Sequence, residues 1–128
     1  MDRPEFLRWA GIELSTRHPG YAIGEGDSYR TVRCARNMYL GVDALLDGEM
    51  RVHVFTDKDH LMLTTAAPVV GLPPPGMEYK VQRGVDSPGR LYARLTWRHR
   101  GATYATEKFQ AIAALDWLQV LVLPNLLP

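Results

Sequence analysis

Cysteine is nearly absent from this chain of 128 residues, with Cys34 standing alone. An intramolecular disulfide is therefore excluded, as is any zinc site built from cysteines. Lysine is also scarce, at three residues against twelve arginines. That imbalance fits a GC-rich coding sequence of bacterial or phage type. It also supplies planar guanidinium groups, which bind carboxylate or phosphate through two parallel hydrogen bonds. There is no excess of either charge, the formal net charge being +1, so no partner is drawn in by a global field and every charge argument must be local. Long hydrophobic runs are missing as well. The most apolar stretch, Ala111 to Leu123, is interrupted by Asp116 and Gln119 and falls short of the roughly 20 residues that span a bilayer.

The segment MDRPEFLRWAGIEL lacks the basic region, apolar run and small-residue cleavage site of a secretory signal. The expected location is cytoplasmic, with no membrane contact. Catalytic frames are absent too: the sequence contains no Gly-x-Ser-x-Gly elbow, Walker loop, His-Glu-x-x-His or cysteine framed by a histidine. His18, His53, His60 and His99 are scattered. His53, Asp57 and His60 suggest a metal site at first sight. Asp57 and Asp59, however, flank Lys58 in a tight turn, where aspartate bonds the turn's own backbone. No cofactor, metal or catalytic residue is assigned.

What is present describes one folded domain, residues 1–128, with 46% hydrophobic and 23% charged residues. Asp2 is placed to cap a first helix, with Pro4 in its first turn and Glu5 three residues after the cap. The helix is expected to run to about Ile12, with Phe6, Leu7, Ala10 and Leu14 on one apolar face. A short strand is expected near Tyr21–Ile23, and YRTVRCAR reads as another. The glycines at 20, 24 and 26 do not open a helix, so they do not form a phosphate cradle. Met38, Leu40, Val42, Ala44 and Leu46 alternate as in a half-buried strand, although Met38, Val42, Leu45 and Leu46 also fit a helix. Asp47-Gly48 and the strand-favouring Val52, Val54 and Phe55 decide for a hairpin. A three-residue loop with a glycine bulge is expected, because only that brings Val52 and Val54 to the face of Leu40 and Val42. After the turn TDKDH, Leu61 and Leu63 are expected on a third meander strand beside Val54. Pro68, Pro73, Pro74 and Pro75 then mark a stiff connection, followed by a strand from Glu78 to Arg83 and a turn through Asp86, Pro88 and Gly89.

From Leu91 the chain alternates again, with Leu91, Ala93, Leu95 and Trp97 on one face and Tyr92, Arg94, Thr96 and Arg98 on the other. A turn at Arg100-Gly101 is expected to pair Trp97 with Tyr104 on a returning strand. Tyr92, Arg94, Arg98 and Arg100 then form a basic, aromatic outward face with no acid among them. Such a face suits a protein interface, where arginine and tyrosine are enriched in hot spots. It also suits a nucleic acid, where guanidinium pairs phosphate and tyrosine stacks on a base. The plain alternative is a solvated strand face paired with acids such as Glu78 or Asp86.

A last helix is expected from Thr106, as cap, to Leu123, apolar nearly all round, followed by LPNLLP. Leu123, Leu126 and Leu127 are the residues expected in a homodimer interface. The chain is thus read as an α+β domain: a twisted antiparallel sheet of five to seven strands with a helix near each end. Its expected role is a small non-enzymatic binding protein, an adaptor or inhibitor acting on a protein partner as a homodimer. A nucleic-acid binder using the arginine strand and an enzyme with an unrecognised site are the alternatives.

Overall fold

The computed structural model describes residues 1–56, 71–84 and 90–126. Helix α1 spans Arg3–Arg17, and Asp2 caps it by accepting the Glu5 backbone N–H at 2.9 Å. It extends a turn beyond the expected Ile12 because Leu14 continues the buried face and Arg17 pairs with Glu13 at 3.0 Å, one turn back. Pro19 and Gly20 lie just past its end. Phe6, Leu7, Ala10 and Leu14 are the buried residues, as the spacing predicted.

Among the described residues six strands follow: β1 Gly24–Glu25, β2 Tyr29–Ala35, β3 Met38–Ala44, β4 Glu49–Thr56, β5 Glu78–Arg83 and β6 Leu91–Arg98. They form one antiparallel sheet in the order β1-β2-β3-β4-β6-β5. The chain is therefore a single small α+β domain. Strand β1 begins three residues later than the expected Tyr21.

The β3–β4 hairpin has the predicted bulge. Leu45 and Glu49 close a loop of Leu46, Asp47 and Gly48, with Gly48 at φ +92° donating its N–H to the Leu45 carbonyl at 3.1 Å. Leu40 consequently faces Val54, and Val42 faces Val52. All four are fully buried.

Two expected strand pairings are overturned. The far edge of β4 is taken by β6, with Val54 opposite Ala93 and Met50 opposite Trp97, so the place beside Val54 expected for Leu63 is filled by Ala93. Residues 57–70, like residues 85–89 where a turn was expected, lie outside the described residues. Likewise β6 already has β4 and β5 on its two sides, so no returning strand pairs Trp97 with Tyr104. Residues 101–106 instead turn back over the start of α1, where the Tyr104 N–H donates to the Met1 carbonyl at 2.8 Å. The Trp97 indole N–H is satisfied by the buried carboxylate of Glu107.

Helix α2 spans Glu107–Trp117 and continues through a π-helical turn, Leu118–Val122, into the short helix α3, Leu123–Leu126. Thr106 does not cap α2 as expected: its backbone is already helical and its side chain makes no cap bond. The π turn ends two residues before Pro124, whose ring would clash with the Val120 carbonyl in a regular α-helix. The Leu123 N–H accordingly bonds back to the Leu118 carbonyl. Helix α1 and helix α2 with its π turn pack on one face of the sheet, in a core of Phe6, Leu14, Leu40, Val52, Leu95, Leu115, Leu118 and their neighbours. Arg17 ties the two ends together, reaching Asp116 at 2.8 Å and Gln119 at 2.7 Å.

Gly48→Ala places a Cβ at positive φ, where it would sit 3.3 Å from the His99 carbonyl oxygen. The expected loss of unfolding free energy is about 1–2 kcal/mol, checked by urea denaturation. An unchanged midpoint would show that the hairpin accepts another turn.

Candidate functional site

Strand alternation leaves a second sheet face that no described helix covers. It presents Tyr29, Thr31 and Arg33 from β2, Tyr39, Gly41 and Asp43 from β3, and Glu49, Arg51, His53 and Phe55 from β4. Tyr92, Arg94, Thr96 and Arg98 come from β6, and Glu78, Lys80 and Gln82 from β5. A cleft of about 500 Å³ opens among Asp43, Arg51, His53, Phe55, Tyr92 and Arg94, within the size range of ligand sites.

Three rings cross this face in a row. Tyr39 stacks on Phe55 with centroids 5.2 Å apart, and Phe55 stacks on Tyr92 at 5.1 Å. Each ring carries a guanidinium: Arg33 over Tyr39 at 5.7 Å, Arg90 over Phe55 at 5.4 Å and Arg94 over Tyr92 at 4.5 Å.

Beside the row lies a buried polar node. Arg94, only 8% exposed, donates its Nε–H to Nδ1 of His53 at 3.1 Å. That bond makes Nδ1 an acceptor and places the ring proton on Nε2, which faces Asp43 Oδ1 at 3.8 Å. Burial, with Arg94 and Arg51 nearby, holds His53 well below its ordinary titration range, so it is neutral. Asp43 is buried as well. Burial pushes its carboxyl up to about 6, against the pull of Arg94 and Arg51. Burial likewise lowers Arg94, with Arg51 adding to the effect. Arg51 spends itself on Glu49, with Nε at 2.6 Å from Oε2, and reaches Asp43 only at 3.9 Å. Gly41 makes the node possible: a Cβ there would stand 2.6 Å from Nε2 of His53.

Of the residues expected on the binding face, Tyr92 and Arg94 are brought together in the cleft. Arg94 is buried rather than outward, and the acid missing from its own strand arrives from β3 as Asp43. Arg98, exposed, bonds the Asp47 carbonyl at 2.8 Å and braces the hairpin. Arg100 lies past the end of β6, exposed and outside the cleft. Glu78, offered as a partner acid, pairs with Lys80 at 3.0 Å, and Asp86 is outside the described residues. Leu123 is buried in the chain's own core at 8% exposure. Of Leu126 the backbone alone is described, and Leu127 lies beyond the described residues.

Sequence reasoning missed Asp43, Arg51, Tyr39 and Phe55 as parts of one surface. The signal was available in the hairpin register, which puts Gly41 opposite His53 and Asp43 opposite Arg51. Among the described residues no group of three or more metal-ligating side chains forms. None of their helices is long and apolar enough to cross a membrane. Comparison with protein-family models, curated proteins and solved structures finds no significant match.

Asp43 titrates near 6 in the fold and near 3.8 in the open chain, so its ionised form opposes folding at neutral pH. Asp43→Asn is expected to raise the unfolding free energy near neutrality by up to about 3 kcal/mol. The gain disappears below about pH 4, where both states are protonated. His53 acts in the opposite sense: the unfolded chain takes up its proton below about pH 6.5 and the fold does not, so its contribution to stability falls as the pH drops. Urea unfolding of both chains across that range is the check. A variant less stable at neutral pH would overturn the sign.

Proposed function

We propose that the chain is a small non-enzymatic binding protein that docks on a partner protein through the uncovered sheet face. The observation that carries this reading is the row Tyr39–Phe55–Tyr92 with its three guanidiniums. Arginine and tyrosine are enriched among the residues that anchor protein interfaces, and the tyrosine ring offers large rigid area with little entropy to lose. The acids on the same face, Asp43, Glu49 and Glu78, oppose a polyanion and weigh against nucleic acid. His53 is a poor general base, since Arg94 occupies Nδ1 and Nε2 is turned toward Asp43.

Cross-linking in lysate of the source cells is expected to capture a partner with the wild type and to lose it with Tyr92→Ala. Labelled single-stranded oligonucleotides are expected not to bind at low salt. Binding whose logarithm falls with log salt at a slope of about −2 to −3, the value for three or four phosphates, would transfer the face to nucleic acid.

Self-association is part of the same proposal. With Leu123 turned inward, the large apolar residues that α2 and the π turn leave exposed are Phe109 at 75%, Val120 at 69% and Leu121 at 40%. Light scattering coupled to size exclusion is expected to give a dimer mass for the wild type and a monomer mass for Phe109→Asp or Val120→Asp. A wild type that is monomeric at high micromolar concentration would discard the dimer.

A further inference from the structure

We propose that the cleft beside Tyr92 is a carboxylate site, in which the two terminal nitrogens of Arg94 take the two oxygens of an incoming carboxylate and the rings of Tyr92 and Phe55 cover the group that carries it. This rests on the reading of the uncovered face as the working surface, and adds the chemistry of what that surface holds.

Arg94 is more than nine-tenths buried, yet only one edge of its guanidinium is used. Nε is fixed by His53 and the plane lies over Tyr92, while Nη1 and Nη2 make no hydrogen bond or ion pair among the described residues. Asp43 and Glu49 act on Arg94 through space, but a buried guanidinium whose terminal nitrogens have no hydrogen-bonded partner still carries a desolvation cost, which a ligand on those nitrogens would offset. The nearby acids do not supply that partner. Glu49 is taken by Arg51 at 2.5 Å, and among the described residues Asp43 comes within ion-pair distance of Arg51 and His53 only.

A planar fork with one free edge matches a carboxylate, which accepts two parallel hydrogen bonds. Phosphate fits less well, because its second charge would face Asp43. Gln82 lines the same cleft and offers a neutral amide.

Asp43 makes the site sensitive to acidity. Its carboxyl is faced by Arg51, Glu49 and His53 from β4, by Arg94 from β6 and by Tyr29 from β2. An anion arriving on Arg94 favours the protonated form of Asp43, so binding takes up a proton and tightens as the pH falls through the range in which Asp43 titrates.

The test is an NMR titration of the wild type, reading the side-chain Nε–H of Arg94, with benzoate, with a short acetylated peptide containing one glutamate, and with inorganic phosphate. Benzoate or the peptide is expected to shift that signal. Affinity is expected to be higher near pH 5.5 than near pH 7.5, with the difference abolished in Asp43→Asn. Arg94→Gln is expected to weaken binding about ten- to a hundredfold, and Arg94→Lys, which keeps the charge and the packing but loses the fork, to weaken it as well. Response to benzoate alone identifies a free organic acid as the source, and response to the peptide alone an acidic segment of a protein. Phosphate binding as tightly as either carboxylate, or no shift at millimolar ligand, overturns the assignment. If no carboxylate binds while partner capture still depends on Tyr92, the carboxylate site fails and the docking surface stands. If capture is also indifferent to Tyr92, both fail.

Discussion

The register between β3 and β4 decides what this molecule is. Because side chains alternate along a strand, a slip of one residue would exchange every group on one face for its neighbour on the other. Three loop residues and a glycine at positive φ fix the pairing of Leu40 with Val54 and Val42 with Val52. Those four valine and leucine side chains give the helices something to pack on. The same geometry sends Gly41, Asp43, Arg51 and His53 to the opposite face, where β6 meets them with Tyr92 and Arg94. Core and cleft are two sides of one decision made at Gly48.

The polar node shows how the two sides are coupled. Three charged or ionisable groups, Asp43, His53 and Arg94, are nearly withdrawn from water. An interior of apolar residues at these places would fold at least as well, because paired buried charges seldom repay their desolvation. The node persists in a half-satisfied state, with Asp43 hard to ionise, His53 neutral and Arg94 bonded on one edge. Stability is lower for it, which is the usual signature of residues kept for what they contact.

Much of this was legible in the chain. Helix α1 followed from Asp2, Pro4 and the spacing of Phe6, Leu7, Ala10 and Leu14. The β3–β4 hairpin with its bulge, β5 and β6 followed from alternation and turn chemistry. What failed was pairing between distant segments. Alternation says which residues share a face and nothing about which strand lies alongside, so in the sequence the apolar stripe of β4 reads on into residues 61–63 and gives no sign of β6. The returning strand after Arg100 failed for the same reason, both sides of β6 being already filled. The site was half visible: Tyr92 and Arg94 were named, whereas His53, on which Arg94 rests, is 41 positions away. An acid-free strand therefore proved to sit beside an acid.

The strand order carries a kinetic meaning. Among the described residues β5 pairs only with β6, and β6 is the last strand of the chain, inserted between β4 and β5. As the polypeptide is synthesised, β1 to β4 can close by short hairpins, leaving the edge of β4 with its Val52 and Val54 unpaired. Strand β5 then emerges with no partner to receive it. The sheet is completed when β6 arrives and satisfies two edges at once. Assembly is thus gated by the last third of the chain, and a ribosome stalled before Arg98 would hold a half-sheet whose open edge is its most aggregation-prone feature.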